Sequence, residues 1–154
     1  MTTTTAPPAP AARSGVPLFS VAGTFLEGLA AQDFSRIAAT LADDAHLTAL
    51  VPSGFKQWDG PGEISATFRR WFGTVDEFEL VDASVGEVGS RLHLRWRARV
   101  QAPRFGAGWF VVEQQVYADT GADGRIAQLF LLCSGFCRET DQPDSLPVSP
   151  GALR

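Results

Sequence analysis

The sequence predicts a single α+β domain in which helices come first and a long antiparallel sheet comes last. The first observation is the stretch 91–101, where apolar and polar residues alternate without a break. Successive side chains of a strand point to opposite sides of a sheet, so this alternation indicates a strand with one buried face. The second is that the segments before residue 77 carry apolar residues at helical spacing. The third is the short connections between the later segments, which favour an antiparallel meander.

Length and composition fit one globular domain. The chain has 154 residues, of which 45% are hydrophobic, and its formal net charge is −4. No basic block is dense enough to indicate nucleic-acid binding, and no run of about 18 apolar residues indicates a membrane span. The N-terminus lacks the features of a signal peptide, so a cytoplasmic location is expected. Residues 1–15 are predicted to be a disordered tail and residues 139–154 a loose tail, which leaves a domain over 16–138.

Three helices are predicted in the N-terminal half. The first begins near Val16, with Ser14 as a possible cap and Pro17 in its first turn, where a missing N–H is tolerated. Asp33 is expected to cap a short second helix. The third starts at residues 59–61, where an Asp-Gly-Pro sequence precedes an apolar stripe.

Six strands complete the prediction, and the alternation fixes how two of them pair. If the chain turns through 101–109, Val100 lies opposite Phe110 and Trp96 opposite Gln114, so that two apolar faces meet. A slip of one residue would destroy this match. The predicted strands are 45–51, 55–58, 78–88, 91–101, 109–119 and 126–134.

The same pairing predicts the opposite face of the sheet. There Arg97 lies opposite Glu113, and His93 lies opposite Tyr117, which are pairs that usually serve structure. Leaving the apolar residues of this face wet would expose an unusually apolar patch, so we expect a second subunit to cover it and form a homodimer. These apolar residues are Trp109, Val111 and Tyr117.

The order of elements and four local patterns resemble the nuclear transport factor 2-like (NTF2-like) superfamily, in particular its SnoaL-like and ketosteroid-isomerase-like branches. The resemblance covers about residues 16–136. It implies a cone-shaped α+β fold in which three N-terminal helices pack in a curved, mainly antiparallel sheet around a hydrophobic pocket. The patterns are FLEGLAAQD at 25–33, LADDA at 41–45, Gly60 with Ile64 and Phe68, and DGRI at 123–126.

The resemblance also implies where chemistry should occur. In ketosteroid isomerases a carboxylate moves a proton, while a tyrosine and a carboxylic acid hold the enolate oxygen. The corresponding positions here are Ala49, Phe25 and Gln114, so the base and the phenol are absent and ketosteroid isomerisation is not expected. Gln114 is a candidate catalytic residue, with Trp96 and Phe25 as ligand contacts. It could equally bond only a neighbouring backbone group or a buried water.

His46 is the second candidate catalytic residue, as a general base with Asp44 near it in sequence. Because side chains alternate along a strand, His46 is expected to point to the face opposite that of Ala49. Three further aromatic residues are expected either to line the mouth of the pocket or only to pack the core. They are Phe55, Trp58 and Trp71.

No metal or cofactor is expected. The two histidines lack clustered partners, and no glycine-rich phosphate loop follows a strand. Cys133 and Cys137 are expected to be free thiols, because four residues of extended strand span about 13 Å, beyond the reach of a disulfide; they could pair only if residues 134–136 fold back.

Three functions stay open at this point. The first is a small-molecule enzyme acting on a hydrophobic, polyketide-like or polycyclic substrate by isomerisation, cyclisation, dehydration or hydrolysis. The second is a non-catalytic module that binds such a molecule, and the third is a dimerisation scaffold. A pocket filled by the protein's own side chains would favour the third.

Overall fold

The computed structural model describes residues 20–140. The expected tail 1–15, the segment after residue 140 and the predicted start of the first helix at Val16, with Ser14 and Pro17, lie outside the described residues. Within 20–140, no helix is long and apolar enough to cross a bilayer.

Three α-helices lie in the described range, as the sequence predicts, besides a short 3-10 helix over Pro103–Phe105. Asp33 caps the second, because its carboxylate accepts a hydrogen bond from the Arg36 backbone N–H at 3.1 Å. The side-chain amide of Gln32 donates to the Phe72 carbonyl at 2.7 Å and ties the end of the first helix to the end of the third. The helices are α1 over 20–30, α2 over Phe34–Ala39 and α3 over Gly60–Phe72.

The strands agree with the predicted segments, except that the first and fifth strands begin earlier, at Leu41 and Gly106, and that one strand is added. The first strand begins at Leu41 rather than at residue 45, because Leu41 already pairs with Ile126 before an irregularity that leaves Asp43 and Asp44 exposed. A two-residue seventh strand was not predicted. Within the described residues the strands are β1 Leu41–Val51, β2 Gly54–Asp59, β3 Glu77–Val88, β4 Arg91–Ala102, β5 Gly106–Thr120, β6 Ile126–Cys133 and β7 Cys137–Arg138.

One sheet contains all of these strands, in the order β2-β1-β6-β5-β4-β3, with β7 added to β5. Strands β1 and β6 pair in parallel, and the other pairs are antiparallel. The predicted register is confirmed, with Val100 opposite Phe110 and Trp96 opposite Gln114. The fold is therefore the expected α+β class with a mainly antiparallel sheet.

The core lies between the helices and one face of this sheet, which we call the inner face. The opposite side is the outer face. Helix α3 supplies Ile64, Phe68 and Phe72, which are all fully buried. Alternation along β4 and β5 places every second side chain in this core and the others on the outer face.

Candidate functional site

Four side chains fill the interior of the cone at the level of Gln114, and we call them the interior cluster. They are Phe25 of α1, Phe68 of α3, Trp96 of β4 and Gln114 of β5. Phe25 meets Phe68 edge to face at 5.5 Å between ring centroids and lies 5.8 Å from Trp96. The indole N–H of Trp96 donates to the Gln114 side-chain oxygen at 3.0 Å. The structure thus brings together three predicted residues in dense packing.

No titratable side chain is buried in the interior of the described region, because its buried polar residues are three hydroxyl residues and Gln114. Thr40, Ser65 and Thr67 each donate to a main-chain carbonyl three or four residues earlier. In residues 20–140, no buried side-chain N or O atom lacks a hydrogen-bond partner. The methyl group of Ala49 is fully buried. Proton transfer by an interior side chain therefore has no ionisable group to use.

The mouth of the cone is the end where β1 and β6 finish and β5 begins. Because α3 also ends there, the apolar side chains of several elements converge and pack only partly buried against the core. Trp58 and Trp71 meet edge to face at 6.0 Å, and Phe105 stacks on Phe136 at 4.5 Å. The mouth residues are Val51, Trp58, Trp71, Phe105, Cys133 and Phe136.

Lys56 lies beside this aromatic mouth and is the sole lysine of the sequence. The register of β2 on β1 pairs it with Ala49, so both side chains leave the same, inner face. Lys56 is exposed, while Trp58, two residues further along the same face, is half-buried. Sequence reasoning missed this residue. The signal was the two-residue alternation of the short strand, in which Lys56 and Trp58 share a side.

His46 and Phe55 lie on the outer face, away from the interior cluster. His46 Nδ1 lies 2.5 Å from an Asp59 carboxylate oxygen, and its Nε2 lies 3.1 Å from the Gln57 side-chain oxygen. The carboxylate near His46 is therefore that of Asp59 rather than that of Asp44. The Phe55 side chain is 66% exposed and does not reach the mouth on the inner face.

The outer face carries an apolar patch at one end, defined by the exposed residues Leu50, Phe55, Tyr117, Phe130 and Leu132. Part of it lines a groove of about 330 Å³. Of the three apolar residues expected on this face, Tyr117 belongs to the patch and stacks on His93 at 4.7 Å. Trp109 instead lies under the Arg99 guanidinium, which is 4.0 Å from its ring centroid. Sequence reasoning missed Leu50, Phe130 and Leu132, although their strand parity indicated this face.

The other end of the outer face is charged and paired. Arg97 donates to Glu113 at 2.7 Å, which confirms the predicted pair. Arg95 reaches Asp82 at 3.1 Å, whereas the pair of Arg91 with both carboxylate oxygens of Asp119 borders the apolar patch, because the Arg91 guanidinium lies 5.7 Å from the Phe130 ring centroid. A larger groove of about 730 Å³ lies over this end. Cys133 and Cys137 are free thiols, as expected.

Comparison with known families finds one match of long extent. A family model described as the SnoaL-like domain matches residues 22–129. A sequence search of the curated proteins finds no match.

Solved structures share the fold at low sequence identity. A proposed polyketide cyclase from Xanthomonas campestris pv. campestris is 16% identical, with a TM-score of 0.59 over 75% of this chain and 89% of that chain. TerC, co-crystallised with polyporic acid, is 14% identical, with a TM-score of 0.57 over 75% and 89%. An epoxide hydrolase of the LEH-like type from M. tuberculosis is 20% identical, with a TM-score of 0.56 over 77% and 84%. At these identities the likeness extends to the fold alone.

Proposed function

We propose that this chain binds a planar apolar small molecule bearing an acidic group, and that it does so at the mouth of its cone. The chain belongs to the SnoaL-like domain family. The observation that carries the proposal is the pairing of an aromatic wall with a nearby cation. Trp58 and Trp71 form the wall at 6.0 Å, and Lys56 leaves the same face of β2 as Trp58. Small-molecule sites combine an apolar surface with a few polar groups in this way.

The packing of the interior supports a site at the mouth rather than deeper in the cone. Phe25, Phe68 and Trp96 are fully buried, and the oxygen of Gln114 accepts the indole N–H. A ligand at that depth would have to displace close-packed side chains, which protein interiors resist. The expected roles of Phe25, Trp96 and Gln114 as direct ligand contacts therefore require a rearrangement, whereas Trp58 and Trp71 are partly accessible as they stand.

The charge of Lys56 supports an acidic ligand. Among the described residues, no ion pair or hydrogen bond of its ammonium group is found, whereas the arginines of β4 all donate to carboxylates. An ammonium beside two indoles suits an aromatic anion, because the rings supply stacking area and the cation fixes the acid. TerC, a structure of the same fold, was crystallised with polyporic acid.

Two related dyes test this proposal. Anilinonaphthalene sulfonate carries an acid, and N-phenylnaphthylamine has the same ring system without it. We expect Lys56→Gln to weaken sulfonate binding by about tenfold, since one charged contact contributes on the order of 1.5–3 kcal/mol when shielded from water and less when exposed. The uncharged dye should bind Lys56→Gln as it binds the wild type. Lys56→Arg should retain sulfonate binding.

A matched control is Arg125→Gln, which removes a cation that is paired with Asp123 far along the sheet. It should leave the affinity for both dyes unchanged. Equal weakening of both dyes by Lys56→Gln would contradict the charge contact. Wild-type affinity for both dyes in Trp58→Ala would contradict the mouth as the binding site.

Catalysis by isomerisation, cyclisation, dehydration or hydrolysis is the second candidate function. The observation that favours it is the approach of His46 to Asp59, since a histidine oriented by a carboxylate is a common general base. Hydrolysis of a nitrophenyl ester or an aryl epoxide that falls more than about tenfold in His46→Ala, but not in Gln114→Leu, would favour this function. Turnover that is equal in both variants would count against His46 as the base.

We further propose that the protein is a homodimer through its outer face. The interior filled by its own side chains favours a dimerisation module, and the five residues of the apolar patch support it further, because contiguous exposed apolar residues commonly mark a contact surface. The patch lies on the side opposite the proposed mouth site. Association through it would leave Lys56 and the aromatic wall accessible.

A further inference from the structure

The chain crosses the mouth immediately after β6, and we call residues 134–140 the strap. Gly135 has φ of 83°, and a Cβ there would lie 2.5 Å from Cγ of Pro52, so this crossing requires glycine. Phe136 then stacks on Phe105 at 4.5 Å and meets Phe72 at 6.0 Å. The strap therefore places an aromatic ring over the ends of the sheet and of α3.

A charged contact fastens the far end of the strap. The Arg99 guanidinium donates to both carboxylate oxygens of Glu139, at 3.0 and 2.9 Å, and to Glu79 of β3 at 2.8 Å. The Glu139 backbone N–H donates to the Trp109 carbonyl at 2.9 Å. The hydrogen bonds from Arg99 lower the pKa of the Glu139 carboxyl, so it stays ionised and bonded at neutral pH.

The strap is attached more weakly than the strands around it. Its strand β7 pairs with β5 at two positions, Phe110 with Arg138 and Val111 with Cys137, and the N–H groups of Ser134 and Glu139 add single bonds to the carbonyls of Glu113 and Trp109. Strand β6, just before it, pairs with β5 from Gln114 to Thr120. Segments with few backbone pairs and few buried contacts open first, and they do so without global unfolding.

We infer that the strap is a hinged cover over part of the mouth, which lifts as a unit when the Glu139–Arg99 contact breaks and thereby widens the entrance beside the partly accessible Trp58 and Trp71. The Phe136 ring fills part of the mouth, and Glu139 holds the strap closed through its contact with Arg99, which we call the latch. The identity of the admitted molecule rests on the proposed function, whereas the opening of the strap is a property of the protein alone and is measured without a ligand.

Two native thiols report on the opening. Cys133 is half-buried at the mouth, and its sulfur accepts a hydrogen bond from the Gly135 N–H at 3.3 Å. Cys137 is exposed on the strap itself. Cys133 also lines a groove of about 300 Å³ in the closed protein, so in a Cys137→Ser background the gain in its rate of modification by N-ethylmaleimide over that parent, rather than the rate itself, reports lifting of the strap. Mass spectrometry follows the single modification.

The chain offers a matched pair of variants for the latch. Glu139→Gln and Glu79→Gln each remove one carboxylate from the same arginine, but only the first belongs to the strap. We expect Glu139→Gln to accelerate modification of Cys133 about fivefold, in the range of a partly exposed charged contact. Glu79→Gln should leave the rate within about twofold of the Cys137→Ser parent. Phe136→Ala should accelerate modification at least as much as Glu139→Gln.

Equal rates for Glu139→Gln and Glu79→Gln would overturn the latch. A Cys133 rate that is unchanged in both Glu139→Gln and Phe136→Ala would overturn the cover. Circular dichroism at the labelling temperature checks that each variant is folded, and Glu139→Asp replaces Glu139→Gln if that variant is not. If Glu139→Gln and Phe136→Ala label faster but the wild type binds neither dye, the strap still opens as inferred and the proposed ligand site is wrong.

Discussion

Gln114 and Gln115 are neighbours on one strand, yet they lie in two different environments. Gln114 is buried on the inner face and accepts the indole N–H of Trp96. Gln115 lies on the outer face, where its oxygen is 3.0 Å from Nε2 of His93 and its side chain lines the groove over the apolar patch. The two-residue period of a strand alone separates them.

The two faces differ in the role of their side chains. Those of the inner face stabilise the fold, and those of the outer face are accessible to a binding partner. The buried part of the inner face is uncharged and close-packed, so its side chains contribute mainly to stability, and Lys56 leaves this face only at its exposed edge. The outer face holds ion pairs and exposed apolar side chains, which contribute little to folding and remain available to a partner. Function on this fold is therefore expected at the mouth and on the outer face, where side chains are accessible.

Truncation of Trp96 is the prediction with the largest effect. Trp96→Ala removes a fully buried ring that contacts Phe25 and Phe68. We expect a loss of about 3–5 kcal/mol in the free energy of unfolding, because a large core cavity forms. Urea denaturation measures the loss. The matched outer-face variant Phe130→Ala should cost less than about 1 kcal/mol at protein concentrations where the chain is monomeric. Similar losses of unfolding free energy in Trp96→Ala and Phe130→Ala would contradict the claim that the inner face contributes more to stability than the outer face.

The fold could be predicted from the sequence because apolar and polar residues alternate along the strands, and this alternation determines which face of each strand is buried. The resemblance to the NTF2-like superfamily is confirmed by the SnoaL-like family match, and the pairing of β4 with β5 follows residue by residue from the apolar pattern. The early start of β1 was not predicted because Asp43 and Asp44 lie in an irregular stretch that interrupts the alternation.

The candidate site was less predictable, because packing depends on contacts between elements that are distant in sequence. Sequence parity placed Gln114 beside Trp96 but could not show that the two bond each other within a filled interior. It also could not show that the chain after Cys133 recrosses the mouth, since that path depends on Gly135 and Phe136 meeting distant residues. The roles of Gln114 and His46 in catalysis stay predictions.

Replacement of Gln114 sharpens the comparison on the inner face. Gln114→Leu leaves the Trp96 N–H without its partner in the core, which costs about 1–3 kcal/mol. Gln115→Leu, one residue away on the outer face, should change stability by less than about 0.5 kcal/mol. The double variant Gln114→Leu with Trp96→Phe should lose less than the sum of the two single variants, because the unpaired donor is gone.

A different outcome for Gln114 would restore its candidate role. If Gln114→Leu is as stable as the wild type but no longer binds either dye, the side chain contacts the ligand rather than supporting the core. Calorimetric melting and fluorescence titration of the same samples separate these cases.

A charge in the apolar patch tests the outer face. Phe130→Asp should shift a dimer towards monomer, raising the dissociation constant at least about tenfold, because a buried unpaired carboxylate is strongly disfavoured. Light scattering over a dilution series measures the shift. Val88 is also apolar and 59% exposed, at the end of β3 outside the patch, so Val88→Asp is the control and should leave the mass unchanged. A wild type that is monomeric at about 50 μM, well above the micromolar scale of weak association, would contradict the dimer.

The smallest expected effect concerns pH and the latch on the outer face. The pKa of Glu139 is lowered from its ordinary value of 4.5 by hydrogen bonds from Arg99. A carboxyl with a lowered folded-state pKa adds stability that is fully present above its unfolded pKa and is lost as the pH falls through the folded one. We therefore expect Glu139→Gln to melt about 1–3 °C below the wild type at neutral pH. This gap should narrow only below pH 4.5 and close once Glu139 is protonated. A gap that persists unchanged in acid would mean that the glutamine disturbs the strap by its shape rather than by the missing charge.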